Sequence, residues 1–344
     1  MKIPQNIWHP VLLSRELKRK PVKLRRFGTD FVFWRDDKGS PQAFPDRCPH
    51  LGASLSRGSV VNGKLVCSFH GFTFSASGAC THIPANGTKG KIPAGFACAR
   101  FDCVEVHGFI WLWAGDKPST GSPAYFAEIE AGFQIADIAI DAKVNYSRAI
   151  ENQLDSAHLA FVHKTTIGYG GKSFVDGPYV ESSDLGLNSW VFNHVDNHGD
   201  HTAITELKKI STQRPPSLQL LYPAQWLLNI SGKLKNFIAF VPIDENTTRF
   251  YLRACHKVKL PIARHIYSAL LQLMNRIILQ QDLNVITHVT PTFSLDSTTD
   301  RFIGADRAIV IYRRWLAGNA AEFTIELSGS GDKIKTIPII AEDA

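Results

Sequence analysis

Apolar and polar positions alternate with a strand-like period along the first third of the chain. Residues 22–35 carry the clearest run, centred on Phe31-Val32-Phe33-Trp34. Short apolar runs recur at 42–44, 60–61, 65–67, 72–74, 104–106 and 109–113, broken by Gly, Pro and Asn. Many short strands at close spacing predict a small all-β domain. The polar stretch 116–123, Asp-Lys-Pro-Ser-Thr-Gly-Ser-Pro, reads as a linker and divides the chain into 1–116 and 117–344. The second part is mixed. Residues 146–161 read as helix, and strand-like runs fall at 219–222, 226–230, 237–241 and 248–254. From 261 to about 288 the pattern is a long amphipathic helix, with Ile262, Ile266, Leu270, Leu273, Ile277 and Val285 near one stripe and Pro291 stopping it. The expected fold class is α+β.

Composition adds limits. The chain has 344 residues, 44% hydrophobic and 20% charged, enough for packed cores. The strongest apolar run near its middle, 109–114, is too short for a membrane span, and residues 1–20 lack the apolar segment of a secretory signal. The expectation is a soluble, cytoplasmic protein with no membrane partner. Net charge is +7. The basic residues are spread out apart from 15–26, with no aromatic interleaving, so a solvated basic face is expected and nucleic acid is not.

The six cysteines are too few for a disulfide scaffold in a chain this long. Two of them have histidine at short spacing: Cys48-Pro-His50 and Cys67-Ser-Phe-His70. A zinc site of the two-Cys, two-His kind pairs Cys with Cys and His with His, whereas here each pair is mixed. Two mixed pairs fit a Rieske 2Fe-2S centre, in which two cysteines hold one iron and two histidines the other. Neutral imidazoles make such a cluster less negative, so its potential lies above that of all-cysteine ferredoxins. The remaining cysteines are expected to be buried apolar residues.

The stretch Cys48-Pro-His-Leu-Gly-Ala-Ser-Leu-Ser-Arg-Gly58, with Cys67-Ser-Phe-His-Gly-Phe-Thr-Phe74, resembles the Rieske domain of the ring-hydroxylating and demethylating oxygenases. Phe69 stands where that family often has Tyr, and Phe72 where it usually has Trp.

A second motif lies in Glu151-Asn-Gln-Leu-Asp-Ser-Ala-His-Leu-Ala-Phe-Val-His163. On a regular helix Asn152, Asp155 and His158 share one face, while His163 binds the same metal as His158 only if the helix ends or distorts between them. Two histidines and a carboxylate form the facial triad of non-haem Fe(II), which leaves positions open for O2. Glu151, Asp155, Asp282 and Asp306 are the candidate carboxylates. The segment is similar to the oxygenase signature Asn-x-x-Asp-x-x-His-x4-His. That resemblance implies His158 and His163 as iron ligands. Gln280-Gln281-Asp282 resembles the family's acidic ligand segment and implies Asp282 as the third. It implies Asp155 as an inter-subunit bridge, taking electrons from a neighbouring subunit's cluster through its His70 to His158 within a cyclic homotrimer. The stretch 306–316 looks like the end of the vanillate-demethylase-like and alkaloid-toxin-hydroxylating branch. The resemblance thus implies an all-β Rieske domain followed by a helix-grip-like catalytic domain, an antiparallel sheet with a long C-terminal helix.

The activity so implied is that of a terminal monooxygenase. It hydroxylates or oxidatively demethylates a small organic substrate. Electrons come from NAD(P)H through a separate flavin reductase, with or without a ferredoxin. No Gly-x-Gly-x-x-Gly fingerprint occurs in the chain, and its basic surface suits an acidic donor protein. Leu154, Ile167, Trp226, Asn229 and Phe240 are the expected substrate contacts. The competing readings are an electron-transfer Rieske protein without oxygenase activity and a scaffold with a vestigial site. His194, His198 and His201 have a spacing that could hold zinc, but the Asn, Asp and Gly around them mark a solvated loop.

Overall fold

The computed structural model describes residues 1–130 and 132–325. It divides into two compact units. The larger comprises Met1–Val11, Arg26–Thr29 and Trp113–Phe323, and the body of the smaller is Leu12–Arg25 with Asp30–Leu112. The crossover at Trp113 lies close to the predicted linker, but a single cut at 116 is too simple, because the first eleven residues and a short insert at 26–29 pack with the larger unit.

Two strands, β1 (Lys2–Pro4) and β2 (Ile7–Leu13), open the chain. The smaller unit is then all β. Strands β3 (Val22–Arg26), β4 (Thr29–Arg35) and β5 (Pro41–Pro45) form one sheet. Strands β6 (Ser59–Val61), β7 (Lys64–Val66), β8 (Thr73–Phe74) and β9 (Cys80–His82) form a second, and β10 (Cys103–Val106) pairs with β11 (Phe109–Ala114). Asn62-Gly63 turns β6 into β7 with both residues at positive φ, as a tight right-twisted hairpin requires. Trp34 stacks edge-on to Phe44 at 4.4 Å between ring centroids, and Leu55, Leu65, Phe72 and Phe74 complete the core around them.

The larger unit is α+β. After α1 (Ala127–Glu130) come β12 (Gln134–Ala142), α2 (Tyr146–Leu154), α3 (Leu159–Val162), β13 (Phe174–Ser183), β14 (Gly186–His194) and α4 (Ile204–Ser211). Strands β15 (Leu218–Leu221), β16 (Gln225–Ser231), β17 (Leu234–Asp244) and β18 (Thr247–His256) follow, then α5 (Pro261–Ile286), α6 (Arg307–Asn319) and β19 (Ala320–Glu322). Seven strands form one sheet in the order β12-β18-β17-β16-β15-β14-β13, every pair antiparallel. The long helix α5 packs on β12 and β18.

Three departures from the sequence reading have physical causes. The predicted helix over 146–161 is two helices, because Asp155 accepts a hydrogen bond from the Ala157 N–H at 2.7 Å and turns the chain. Asn152, Asp155 and His158 therefore do not lie on one helical face. Strands β12, β13 and β14 escape the sequence reading, since in β12 apolar residues fall on both faces, Ile135 on the exposed one and Ala136 on the buried one. Most consequentially, the apolar stripe of α5 is not its core face. Ile262 is 78% exposed, and Ile266, Leu270, Leu273, Ile277 and Val285 are exposed with it. The buried positions of α5 are Asn275, Leu279, Asp282 and Ile286, spaced by four, three and four residues. Two of these four are polar, so hydrophobicity does not mark the side of α5 that packs.

Candidate metal centres

In the smaller unit, two loops present Cys48 and His50, and Cys67 and His70. They share one backbone pattern. The Cys48 N–H donates to Ala53 O and Cys48 O accepts from the Gly52 N–H; likewise the Cys67 N–H donates to Phe72 O and Cys67 O accepts from the Gly71 N–H, all at 2.8–3.0 Å. Gly71 has a positive φ, and a Cβ there would sit 2.8 Å from Pro84 Cγ. The loops bury the cysteines more deeply than the histidines: Cys48 and Cys67 are 2% and 3% exposed, His50 is half-buried and His70 lies on the surface. The imidazoles meet at 4.7 Å between ring centroids. Phe72 stacks on His50 at 4.5 Å and Phe69 packs on His70 at 3.8 Å, so both residues that depart from the family pattern still supply an aromatic face to a histidine.

These residues fit a 2Fe-2S cluster. Burial pushes the Cys48 thiol up to about 11, so a thiolate there needs cationic charge beside it. His50 Nδ1 is buried with no hydrogen-bond partner, as an atom waiting for a metal would be. Cys80 and Cys98 pack in the same core, behind the two cysteines of the loops.

In the larger unit, α2 begins where Asn145 accepts from the Ser147 N–H at 2.9 Å, an N-cap bond. Its buried polar side is locked by Arg148, Glu151, Asp300 and Arg313. Arg148 Nη1 donates to Glu151 at 3.0 Å and to Asp300 at 2.9 Å, and Arg313 grips both carboxylates at 2.5–3.0 Å. Glu151 is thereby excluded as a metal ligand. Asp306 is also committed, accepting from the Ile303 N–H at 2.8 Å.

Beyond the turn at Asp155, His158 and His163 flank the single turn of α3. Their rings lie 5.1 Å apart between centroids. Asp282, from the buried face of α5, places Oδ1 3.0 Å from His163 Nε2 and 3.5 Å from His158 Nε2. Among the described residues, these three form the group whose donor atoms all lie within 4.8 Å of one another. Ligands about 2.1 Å from one ion and at right angles to each other stand roughly 3 Å apart. The Asp282 side chain is 2% exposed, and its Oδ1 makes no well-formed hydrogen bond despite both imidazoles. A buried carboxylate oxygen facing two imidazole nitrogens fits a bound cation. The donor set, two imidazoles and a carboxylate, suits Fe(II).

Neighbouring groups hold these three side chains. Gln153 Nε2 donates to Asp282 Oδ2 at 3.2 Å. Gln281 Oε1 lies 2.8 Å from His163 Nδ1. Asp155 Oδ2 is 3.5 Å from His158 Nδ1. Burial raises the Asp155 pKa, but His158 and the backbone N–H groups of Ala157 and His158 outweigh it and hold the carboxyl below its usual range. For His163 burial lowers the pKa, and Asp282 with Gln281 more than reverses it. The two glutamines were not singled out in the sequence, because nothing in it shows which polar side chains face a ligand.

The remaining expected site residues are scattered in character. Asn152 Nδ2 and the Trp226 indole N–H are buried without a partner among the described residues. Leu154 is buried at the end of α2, Ile167 is exposed, and Phe240 is fully buried against Phe250. Asn229 donates to Pro216 O at 2.9 Å and Gln219 Oε1 at 3.2 Å and accepts from Lys235. Of the histidines at 194–201, His194 and His201 both contact Asp176, at 3.1 and 3.3 Å, and Thr202 donates to the same carboxylate. This is a hydrogen-bonded anchor for the loop.

Residues 7–101 match the Rieske [2Fe-2S] domain, and residues 142–322, more than half the chain, match the vanillate O-demethylase oxygenase C-terminal domain. The chain is 38% identical over 168 residues to chlorophyllide a oxygenase of Chlamydomonas reinhardtii, covering 48% of this chain and 25% of that protein. It is 33% identical over 174 residues to the vanillate O-demethylase oxygenase subunit of a Pseudomonas species, covering 48% and 46%. The chain thus spans from a quarter to about half the length of these curated relatives. Its fold is that of dicamba monooxygenase solved with dicamba, with a TM-score of 0.73 at 19% identity over 91% of this chain and 96% of that one. The chain therefore belongs to the Rieske oxygenase family whose catalytic domain is of the vanillate O-demethylase type.

Proposed function

We propose that this protein is the terminal oxygenase of a multicomponent monooxygenase, acting on a small organic molecule by hydroxylation or oxidative demethylation. The observation that carries the reading is the convergence of His158, His163 and Asp282 in a chain that also bears two mixed Cys/His loops. When bound, the cluster passes single electrons and Fe(II) supplies the activation of O2. Cys48, Cys67, His50 and His70 would hold the first; His158, His163 and Asp282 would hold the second.

The chain's own residues then position and gate. Asp155, ionised and held by the Ala157 N–H, orients His158 and stands as the bridge to His70 of a neighbouring copy in a homotrimer. Asn152, with its buried unpartnered amide, lies one turn before Asp155 on α2. Leu154, which directly precedes Asp155, and Trp226, whose buried indole N–H has no partner among the described residues, are candidate substrate contacts. Ile167 and Phe240 are candidates alongside them, as is Asn229, whose amide is engaged by Pro216 and Gln219. Electrons from NAD(P)H arrive through a reductase or ferredoxin partner, and the setting is cytoplasmic.

The relatives named for vanillate and dicamba O-demethylation make methoxy-substituted aromatic acids the first substrates to screen. The test is anaerobic purification with iron and sulfide analysis, EPR of the reduced protein, and O2 uptake with a surrogate reductase. About three irons and two sulfides per chain, with substrate-dependent O2 uptake and formaldehyde release, is the expected result. Two irons that Fe(II) reconstitution does not raise, with no uptake, would leave an electron-transfer protein instead.

A further inference from the structure

The mononuclear site contains a polar side chain with no role so far. Gln281 precedes Asp282 on α5, and its amide is engaged at both ends. Gln281 Oε1 accepts from the Thr166 hydroxyl at 2.8 Å and lies 2.8 Å from His163 Nδ1. Gln281 Nε2 donates to the Thr165 hydroxyl oxygen at 3.2 Å. With the nitrogen turned to Thr165, the face offered to His163 is an acceptor. A neutral imidazole carries one N–H, and an acceptor opposite Nδ1 fixes that proton there. The lone pair is then left on Nε2, the atom 3.0 Å from Asp282 Oδ1. A lone pair facing a carboxylate at that distance is repulsive unless a proton or a metal cation sits between them, and ligation replaces the proton with the metal.

We infer that Gln281 is a positioning residue of the metal centre, which fixes His163 as the Nδ1–H tautomer and so aims the Nε2 lone pair at the ion. Thr165 and Thr166 hold the amide in place through their hydroxyls. The arrangement ties two ligands together through one backbone position: Asp282 and the group that orients His163 are consecutive residues of α5. A shift of the helix that carries the carboxylate therefore also shifts the acceptor behind the imidazole. The inference rests on the reading of His158, His163 and Asp282 as a metal site.

The test uses the cluster-loaded protein stripped of its mononuclear metal and titrated with Co(II), read by its visible ligand-field bands. Gln281→Leu removes the acceptor at similar size and is expected to weaken Co(II) binding about 10- to 100-fold, with the cluster spectrum and melting temperature unchanged. Gln281→Glu restores an acceptor and should return affinity to within a few-fold of the parent. Thr166→Val, which leaves the acceptor in place but loosens its orientation, should give a smaller loss and serves as the readout should Gln281→Leu fail to fold. Parent-like affinity in Gln281→Leu, or in Thr166→Val where Gln281→Leu does not fold, would overturn the inference. So would a Gln281→Glu protein as weak as Gln281→Leu. Asp282→Ala separates the two levels of the argument: Co(II) affinity unaffected by Asp282→Ala would mean that the metal centre itself is misplaced.

Discussion

The two candidate metal sites are built in opposite ways. The cluster loops draw all four donors from one stretch, Cys48 to His70, and each loop closes on itself through the same pair of backbone hydrogen bonds around its cysteine. Local turn chemistry sets most of that site. The second candidate site takes two histidines from either side of a break in the helix and a carboxylate from α5, far along the chain, and nothing local brings Asp282 to His163. The sheet does so, by seating α5 on β12 and β18. A site made of adjacent turns can be recognised from spacing, whereas a site made across a sheet depends on which face of a helix is buried.

Single substitutions should break this pairing one centre at a time. The largest effect is expected from Asp282→Ala, which removes one of three donors. Fe(II) affinity should fall by more than about a hundredfold while cluster content stays full, as read by iron-to-sulfide ratio. Iron retained at parent level would remove Asp282 from the ligand set. Cys67→Ser is the mirror experiment. It should abolish the cluster's EPR signal yet leave Co(II) or Fe(II) binding at His158 and His163 within a few-fold of the parent, because no donor is shared.

Asp155→Asn tests the link between the centres and not the centres themselves. Both metals should remain, while turnover falls by about 10- to 100-fold or more. Normal turnover in a fully loaded variant would end the bridging role. The smallest effect is expected at Asp176, the anchor of the histidine loop that imitates a metal site. Its pKa, raised by burial but lowered more by Thr202, His194 and His201, lies at about 2. A depressed carboxylate stabilises the fold above its unfolded value near 4, and that contribution is lost as pH falls from about 4 to 2. Asp176→Asn should cost about 1–2 kcal/mol at neutral pH in chemical denaturation and flatten the acid-side loss in that window. Added zinc should leave both proteins unchanged; zinc-dependent stabilisation of the parent would make the cluster a third metal site.

The sequence carried the cluster loops almost completely, since Cys48, His50, Cys67 and His70 identify their chemistry by type and spacing. It also carried the histidine pair and the requirement that the helix between them be interrupted. The interruption itself, an Asp155 side chain bonding the Ala157 N–H, is a local competition that no periodicity reports. Four strands of the large sheet were legible and β12, β13 and β14 were not, because their apolar residues do not keep to one face.

What the sequence determined by itself was therefore the inventory of donors, the order of the two domains and the family they resemble. Tertiary structure decided which donors meet. Among four candidate carboxylates it engaged Glu151 with two arginines, used Asp306 to cap a backbone N–H, turned Asp155 toward His158 and placed Asp282 against both His158 and His163. It also reversed the apparent face of α5, exposing Ile262, Ile266 and Leu270 and burying Asn275 and Asp282. The physical reason is that a helix buries the side that makes the more favourable set of contacts with the sheet and its neighbours, hydrogen bonds included. Hydrophobic periodicity counts only the apolar part of that sum.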